Sequence, residues 1–246
     1  MLNIKLFFIR KIKGLFLKIG LHKIIEPFSG LLLTLLFLSK FSKWRKGHSN
    51  LNFNDFYNRN VDYKDRFRLH EFVYKTEGLS EPIDFYEFGV EEGMSFKWWV
   101  NENKNTKARF FGFDTFAGSP ENFGVMKRED FDVKGQFPDV NDDPRCFFIK
   151  GLFQESLLPF LKKHEFINRK VIHMDADLYS ATLFVLTQIY PYLKNGDIII
   201  FDEFGVPTHE FKAFNDFISS YYLEYNVLGA VNNYLQVAIK VANKKF

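Results

Sequence analysis

Apolar positions follow three different rhythms along the chain. In the first twenty residues, Phe8, Ile12, Leu15, Phe16 and Ile19 recur at helical spacing, while Lys5, Arg10, Lys11, Lys13 and Lys18 take much of the remainder. This pattern predicts a cationic amphipathic helix. A second apolar run, LLLTLLFL at 31–38, lies inside an uncharged stretch, 27–39, of 13 residues. A membrane-spanning helix needs about 20 apolar residues, so no span is expected here. The flank Phe37-Leu-Ser-Lys-Phe-Ser-Lys-Trp44 offers no small-residue cleavage site, which argues against a secretory signal.

Beyond a linker at 46–52, the rhythm alternates between strand and helix. Segments 83–88 (IDFYEF), 109–113 (RFFGF), 145–150 (RCFFIK), 170–174 (KVIHM) and 197–201 (DIIIF) read as strands. Segments 62–77, 95–102, 182–193 and 209–222 read as helices, the third stopped by Asn195-Gly196. The pair 224–228 and 235–241 reads as a closing hairpin turning at Asn232-Asn233. Repeated alternation implies an α/β fold: a Rossmann-like, doubly wound, mostly parallel sheet with a C-terminal antiparallel hairpin and an N-terminal helical extension. Two regions follow, a basic extension at 1–48 and a main domain at 49–246. The polar loop at 122–144 is long for a compact domain and fits a lid.

Charge sharpens this division. The net charge is +3, yet residues 1–48 hold ten Lys/Arg against one acid, Glu26. The remaining residues carry 23 Lys/Arg and 29 Asp/Glu, so the domain is acidic and no nucleic-acid partner is expected. The extension suits two roles: helices packed on the domain or on a second subunit of a homo-oligomer, or peripheral contact of residues 1–46 with an anionic membrane. The single cysteine, Cys146, excludes a disulfide framework and fits a cytoplasmic setting. Aromatic residues make up 19% of the chain, 32 of them Phe, so a large aromatic core is required.

In parallel sheets ligands bind beyond the carboxyl ends of the strands. After the first strand, Glu87 precedes Gly89 and Gly93, and Ser95 opens the next helix. Two glycines permit a tight turn and close backbone approach, but the spacing is not G-x-G-x-x-G, which disfavours a nicotinamide dinucleotide. It suits a smaller, cationic nucleoside. After the second strand, Asp114 is placed to accept ribose hydroxyls. After the fourth and fifth come Asp175, Asp177, Asp202 and Glu203. One crossover brings Asp175, Asp202 and Glu203 to a common edge, and an all-oxygen set suits Mg²⁺, Mn²⁺ or Ca²⁺. His173 falls within strand pattern and reads as a core residue, whereas His209, opening a helix, is a rival to Asp177 as general base.

Five motifs occur in order: Y-E-F-G-V-x-x-G-x-S at 86–95, F-G-F-D-T-F-x-G-x-P at 111–120, K-G-x-F-x-x-x-L at 150–157, H-M-D-A-D-L-Y-S at 173–180 and I-I-I-F-D-E-F at 198–204. Together they resemble the macrocin O-methyltransferase (TylF-type) family of class I S-adenosylmethionine (SAM) methyltransferases, over about 83–217. The resemblance implies SAM near Glu87, Gly89, Gly93 and Ser95, with Asp114 on the ribose and the 150–155 segment, including Gln154, near the adenine. It also implies a divalent cation, expected to be Mg²⁺, on Asp175, Asp202 and Glu203, and Asp177 as the base. The acceptor would be a sugar or other small-molecule hydroxyl. The chain departs from the family pattern at Glu203, where Asp is usual, and in its basic extension. The alternatives are a nucleotide-binding oxidoreductase and a non-catalytic membrane-surface protein.

Overall fold

The structure, a computed structural model, describes residues 2–243. Five parallel strands form its centre: β1 (Ile83–Phe88), β2 (Arg109–Asp114), β3 (Cys146–Lys150), β4 (Arg169–Met174) and β5 (Ile198–Phe201). A hairpin of β6 (Glu224–Val231) and β7 (Gln236–Asn243) completes the sheet, with β7 antiparallel to β5. The order β3-β2-β1-β4-β5-β7-β6 reverses direction between β1 and β4, which opens a crevice there. The fold class expected from the alternation is the one observed.

The central strands are mostly apolar because helices cover both faces. On one face, Phe88, Ile172, Met174, Ile199 and Phe201 join a core reaching α6 (Phe153–Leu161), α7 (Tyr179–Ile189) and α8 (Glu210–Tyr221). On the other, Phe85, Phe110, Val171, Ile198 and Ile200 pack with α4 (Arg66–Thr76) and α5 (Met94–Glu102). Neighbours in one strand therefore serve opposite cores, as the two-residue period of a strand requires.

Two elements differ from expectation. α6 has no counterpart in the sequence pattern, because Pro159 interrupts it and Gly151 precedes it. The predicted helix over 62–77 divides into a short turn, Tyr63–Asp65, and α4.

The N-terminal region holds α1 (Leu2–Ile19), then α2 (His22–Ile25) and α3 (Ser29–Gly47), joined through a tight turn at Glu26–Phe28 into one helical run, His22–Gly47. That run has 26 residues and a mean hydropathy of 1.6 over its most apolar window, so by length and composition it is able to cross a membrane. Counting only uncharged residues underestimated it: Lys23 and Glu26 stand within the helix and do not end it. The C-terminal half of α3 is part of the domain. Phe37 is buried in the core, and Phe41 and Trp44 stack near Phe204 and Phe211. Trp44 Nε1 also donates to the Tyr225 hydroxyl at 2.8 Å.

Candidate active site

The crevice outside β1 and β4 is a cleft of about 350 Å³, within the usual range for small-molecule sites. Glu87, Gly89, Gly93, Ser95, Asp114, Gln154, Asp175, Asp177 and Glu203 all line it. The residues named from the ends of separate strands thus meet in one place.

Gly89 makes the closest junction. Its φ is +92°, and a Cβ there would drive into the backbone carbonyl oxygen of Asp175 on the neighbouring strand. Only glycine satisfies both demands. Gly93 lies at φ +73°, but the space it spares is filled by Pro138 of the long loop rather than left to a ligand. Asp114 accepts from the N–H groups of Val90 (2.7 Å), Glu91 (2.9 Å) and Phe116 (2.7 Å). It therefore fastens the β1–α5 turn, a role sequence reasoning missed, and most of its acceptor capacity is used before a ribose arrives.

The other end of the cleft is crowded with acid. Asp202 is fully buried and does not itself line the cleft; it reaches it through Arg66, at 2.9 Å, and through the Tyr63 hydroxyl, both of which do. Arg66 also lies 3.6 Å from Asp175, and Tyr63 donates to Glu203 at 2.8 Å. The expected trio converges, but around a guanidinium and a phenol that the sequence reading did not anticipate. No local signal marks them, since Tyr63 and Arg66 come from more than 130 residues upstream of Asp202.

Burial pushes the Asp177 carboxyl up to about 8, helped by Glu203 and Asp202. Burial likewise lifts Glu203 to about 7, against the bond from Tyr63. Asp175 is held well above the carboxylate range by burial and by Asp202 and Asp177. Asp202 moves down: burial opposes its charge, but His173, Arg66 and Tyr63 outweigh that. Asp177 also sits in the left-handed region at φ +56°, a strained setting typical of functional loops.

His173 is in the core, as expected, but it is not inert. Nδ1 bonds Glu87 at 2.9 Å, and Nε2 lies 3.7 Å from Asp202. Burial works against the imidazolium, yet these two acids lift its pKa to about 9. Among the described residues, Glu87, His173 and Asp175 bring ligand atoms within 4.8 Å of one another. His173 Nδ1 is engaged with Glu87, so the trio forms a connected polar network at the cleft. His209 does not line the cleft. Its ring meets Phe123 edge-on at 5.0 Å, and burial lowers its pKa. The long loop supplies Phe123, Met126 and Phe131 to the cleft wall, consistent with its expected covering position.

Residues 68–229 match the family Macrocin-O-methyltransferase (TylF). The chain belongs to that family. It is accordingly a SAM-dependent O-methyltransferase, and the oxidoreductase alternative, already disfavoured by the glycine spacing, has no support. No curated protein matches the sequence. Among solved structures, the O-methyltransferase NovP is similar at a TM-score of 0.55 and 19% identity, covering 72% of this chain and 80% of that one. The calicheamicin methyltransferase CalS11 is similar at 0.52 and 18%, covering 84% and 91%. The O-methyltransferase TomG of Streptomyces achromogenes, solved with SAM, is similar at 0.50 and 12%, covering 84% and 89%. At such identities these likenesses speak for the fold.

Proposed function

We propose that this methyltransferase acts on a hydroxyl of a sugar or comparable small molecule in the cytoplasm, with Asp177 as general base. The observation that carries the reading is Asp177 itself. It is a strained, cleft-lining carboxylate whose pKa of about 8 lies near working pH, where a base is most effective. SAM would lie over the Gly89 turn, with Glu87 and Ser95 on one side and Asp114 and Gln154 towards the nucleoside. The acceptor would enter at the acid end. The methyl carbon leaves the sulfonium as the hydroxyl oxygen bonds to it, and the hydroxyl proton passes to Asp177. An ether and S-adenosylhomocysteine remain.

Asp175, Asp202 and Glu203 suit a divalent cation by donor chemistry, since all are oxygen ligands. Such an ion, when bound, lowers the pKa of a coordinated hydroxyl. Arg66 now stands between Asp175 and Asp202 and would have to yield that edge. The carboxylates themselves orient the acceptor, and burial with Glu203 and Asp202 keeps the Asp177 pKa high. TomG, described as an enzyme of tomaymycin synthesis, and CalS11, of calicheamicin, support a small-molecule acceptor.

Calorimetry with SAM and with S-adenosylhomocysteine tests the cofactor half. Wild type should bind both, and Asp114→Ala should weaken binding by about 1.5–3 kcal/mol. Labelled SAM with a library of glycosides and nucleotide sugars, with and without Mg²⁺, tests the acceptor half. Asp177→Asn should retain SAM binding and lose about 10²–10⁴ in rate. Full turnover by that variant would remove Asp177 from the chemistry. Equal, negligible Mg²⁺ binding by wild type and Asp202→Ala would leave Arg66 as the cation of the site.

A further inference from the structure

The helices ahead of the domain carry apolar surface that nothing in the described fold covers. α1 exposes Phe8, Ile12, Leu15 and Ile19 beside Arg10, Lys11, Lys13 and Lys18. In the His22–Gly47 run, Leu31, Leu32, Leu33, Leu35, Leu36 and Leu38 are all exposed, and only 11% of the apolar window is buried. At about 100° per residue, those leucines cover roughly 220° of the helix circumference. A groove in a folded partner takes a single stripe of about 100°. Hydrocarbon has no such preference and solvates every side. The charge complements this. Residues 1–48 hold ten Lys/Arg against one acid, and these match anionic headgroups. Lys40, Lys43, Arg45 and Lys46 follow the leucines directly, on the side where the helix joins the domain.

The attachment point gives this surface a bearing on catalysis. Phe41 and Trp44 pack on Phe204, the residue after Glu203, and Trp44 is tied to Tyr225. Lys212 lies over the rings of both Phe37 and Tyr179, two residues beyond Asp177. The helix is thus rooted beside the acid end of the cleft.

We propose that residues 4–46 dock this enzyme on an anionic phospholipid bilayer, the leucine segment entering hydrocarbon and the basic residues meeting headgroups, so that the acid end of the cleft is held near the lipid surface. The test is flotation of the full chain with vesicles. Wild type should float with phosphatidylcholine vesicles containing phosphatidylglycerol, and less with phosphatidylcholine alone. Leu32→Gln, Leu35→Gln and Leu36→Gln together should abolish flotation while SAM binding, read by calorimetry, is unchanged. Lys40→Gln with Lys43→Gln should weaken partitioning on the order of 25-fold, at about fivefold for each basic residue removed. Should a variant misfold, raising salt on wild type replaces it, since screening should reduce the phosphatidylglycerol-dependent part. Protein that stays below both vesicle types overturns the proposal. So does flotation indifferent to phosphatidylglycerol and to salt. A lipid-free dimer that disperses when the leucines are replaced, with no flotation, would identify a second copy as the occupant instead.

Discussion

At the amino ends of the strands, Lys170 meets Asp197 at 2.9 Å, Arg109 meets Asp84 at 2.6 Å and Arg169 meets Glu77 at 2.7 Å. At the carboxyl ends, Asp175 and Asp202 share Arg66, and Glu203 relies on Tyr63. The same sheet settles its charges at one edge and leaves them in deficit at the other. The amino-end pairs lower the pKa of Asp84 and Glu77; at the other end burial, with the neighbouring acids, raises those of Asp175, Asp177 and Glu203. A fold under selection for stability alone has no reason to keep the second arrangement. The deficit lies at the edge to which the proposed site is assigned.

The contrast is most directly broken at the fully buried pair. Asp197→Ala takes away the ion-pair partner of the buried Lys170 and removes the acceptor for the N–H groups of Lys170 and Lys194. We expect a loss of about 3–5 kcal/mol, read from urea unfolding at constant m-value. A loss under about 1 kcal/mol would mean that the amino edge is no better settled than the carboxyl edge.

A charge in deficit should behave oppositely, and pH gives it a sign. Asp177 titrates at an ordinary 3.8 when unfolded and at about 8 in the fold. The folded state therefore holds the proton more tightly, and stability falls as pH rises between those values. Asp177→Asn removes that dependence. The variant should match wild type near pH 4 and exceed it by about 1–3 kcal/mol at pH 8, measured by denaturation across that range. A variant destabilised equally at both pH values would show that Asp177 is structural. Asp84 and Glu77 carry the reverse sign: their contribution is present above the ordinary carboxylate values and fades as pH drops through the lowered ones.

The smallest effect sharpens the comparison through redundancy. Glu77 holds both Arg169 and Lys240, the latter at 2.8 Å. Lys240→Met should cost only about 0.5–1 kcal/mol by thermal unfolding, since Arg169 remains in place. A larger loss would show that the two cations act as a unit rather than as substitutes.

Much of this was legible before any coordinates. Short apolar runs ending in Gly89, Asp114, Asp175 and Asp202 located both the strands and the crevice, because local pattern and fold agree there. What escaped did so for physical reasons. α6 carries Pro159 within its length, which reads as a breaker, yet the helix runs through it to Leu161. Tyr63 and Arg66 act on Asp202 across 139 and 136 residues, a contact made by tertiary packing alone. The pairing of His173 with Glu87 joins two strands whose adjacency depends on the crossover order, and an isolated histidine in a strand shows none of it.

The contact between Gly89 and the Asp175 carbonyl also bears on how such an enzyme could change its acceptor. It acts as a fixed datum: the turn proposed to seat the methyl donor and the strand that begins the acid edge are referenced to one another with no side chain between. Misalignment of a reacting oxygen by an ångström is costly, so this joint has little tolerance to spare. Diversification is cheaper elsewhere, in parts that reach the cleft without bearing on that joint, such as Phe123, Met126 and Phe131 of the long loop. A laboratory library randomising those three positions explores new acceptors at small risk to methyl transfer, whereas one that includes residue 89 discards most of its members before specificity is ever sampled.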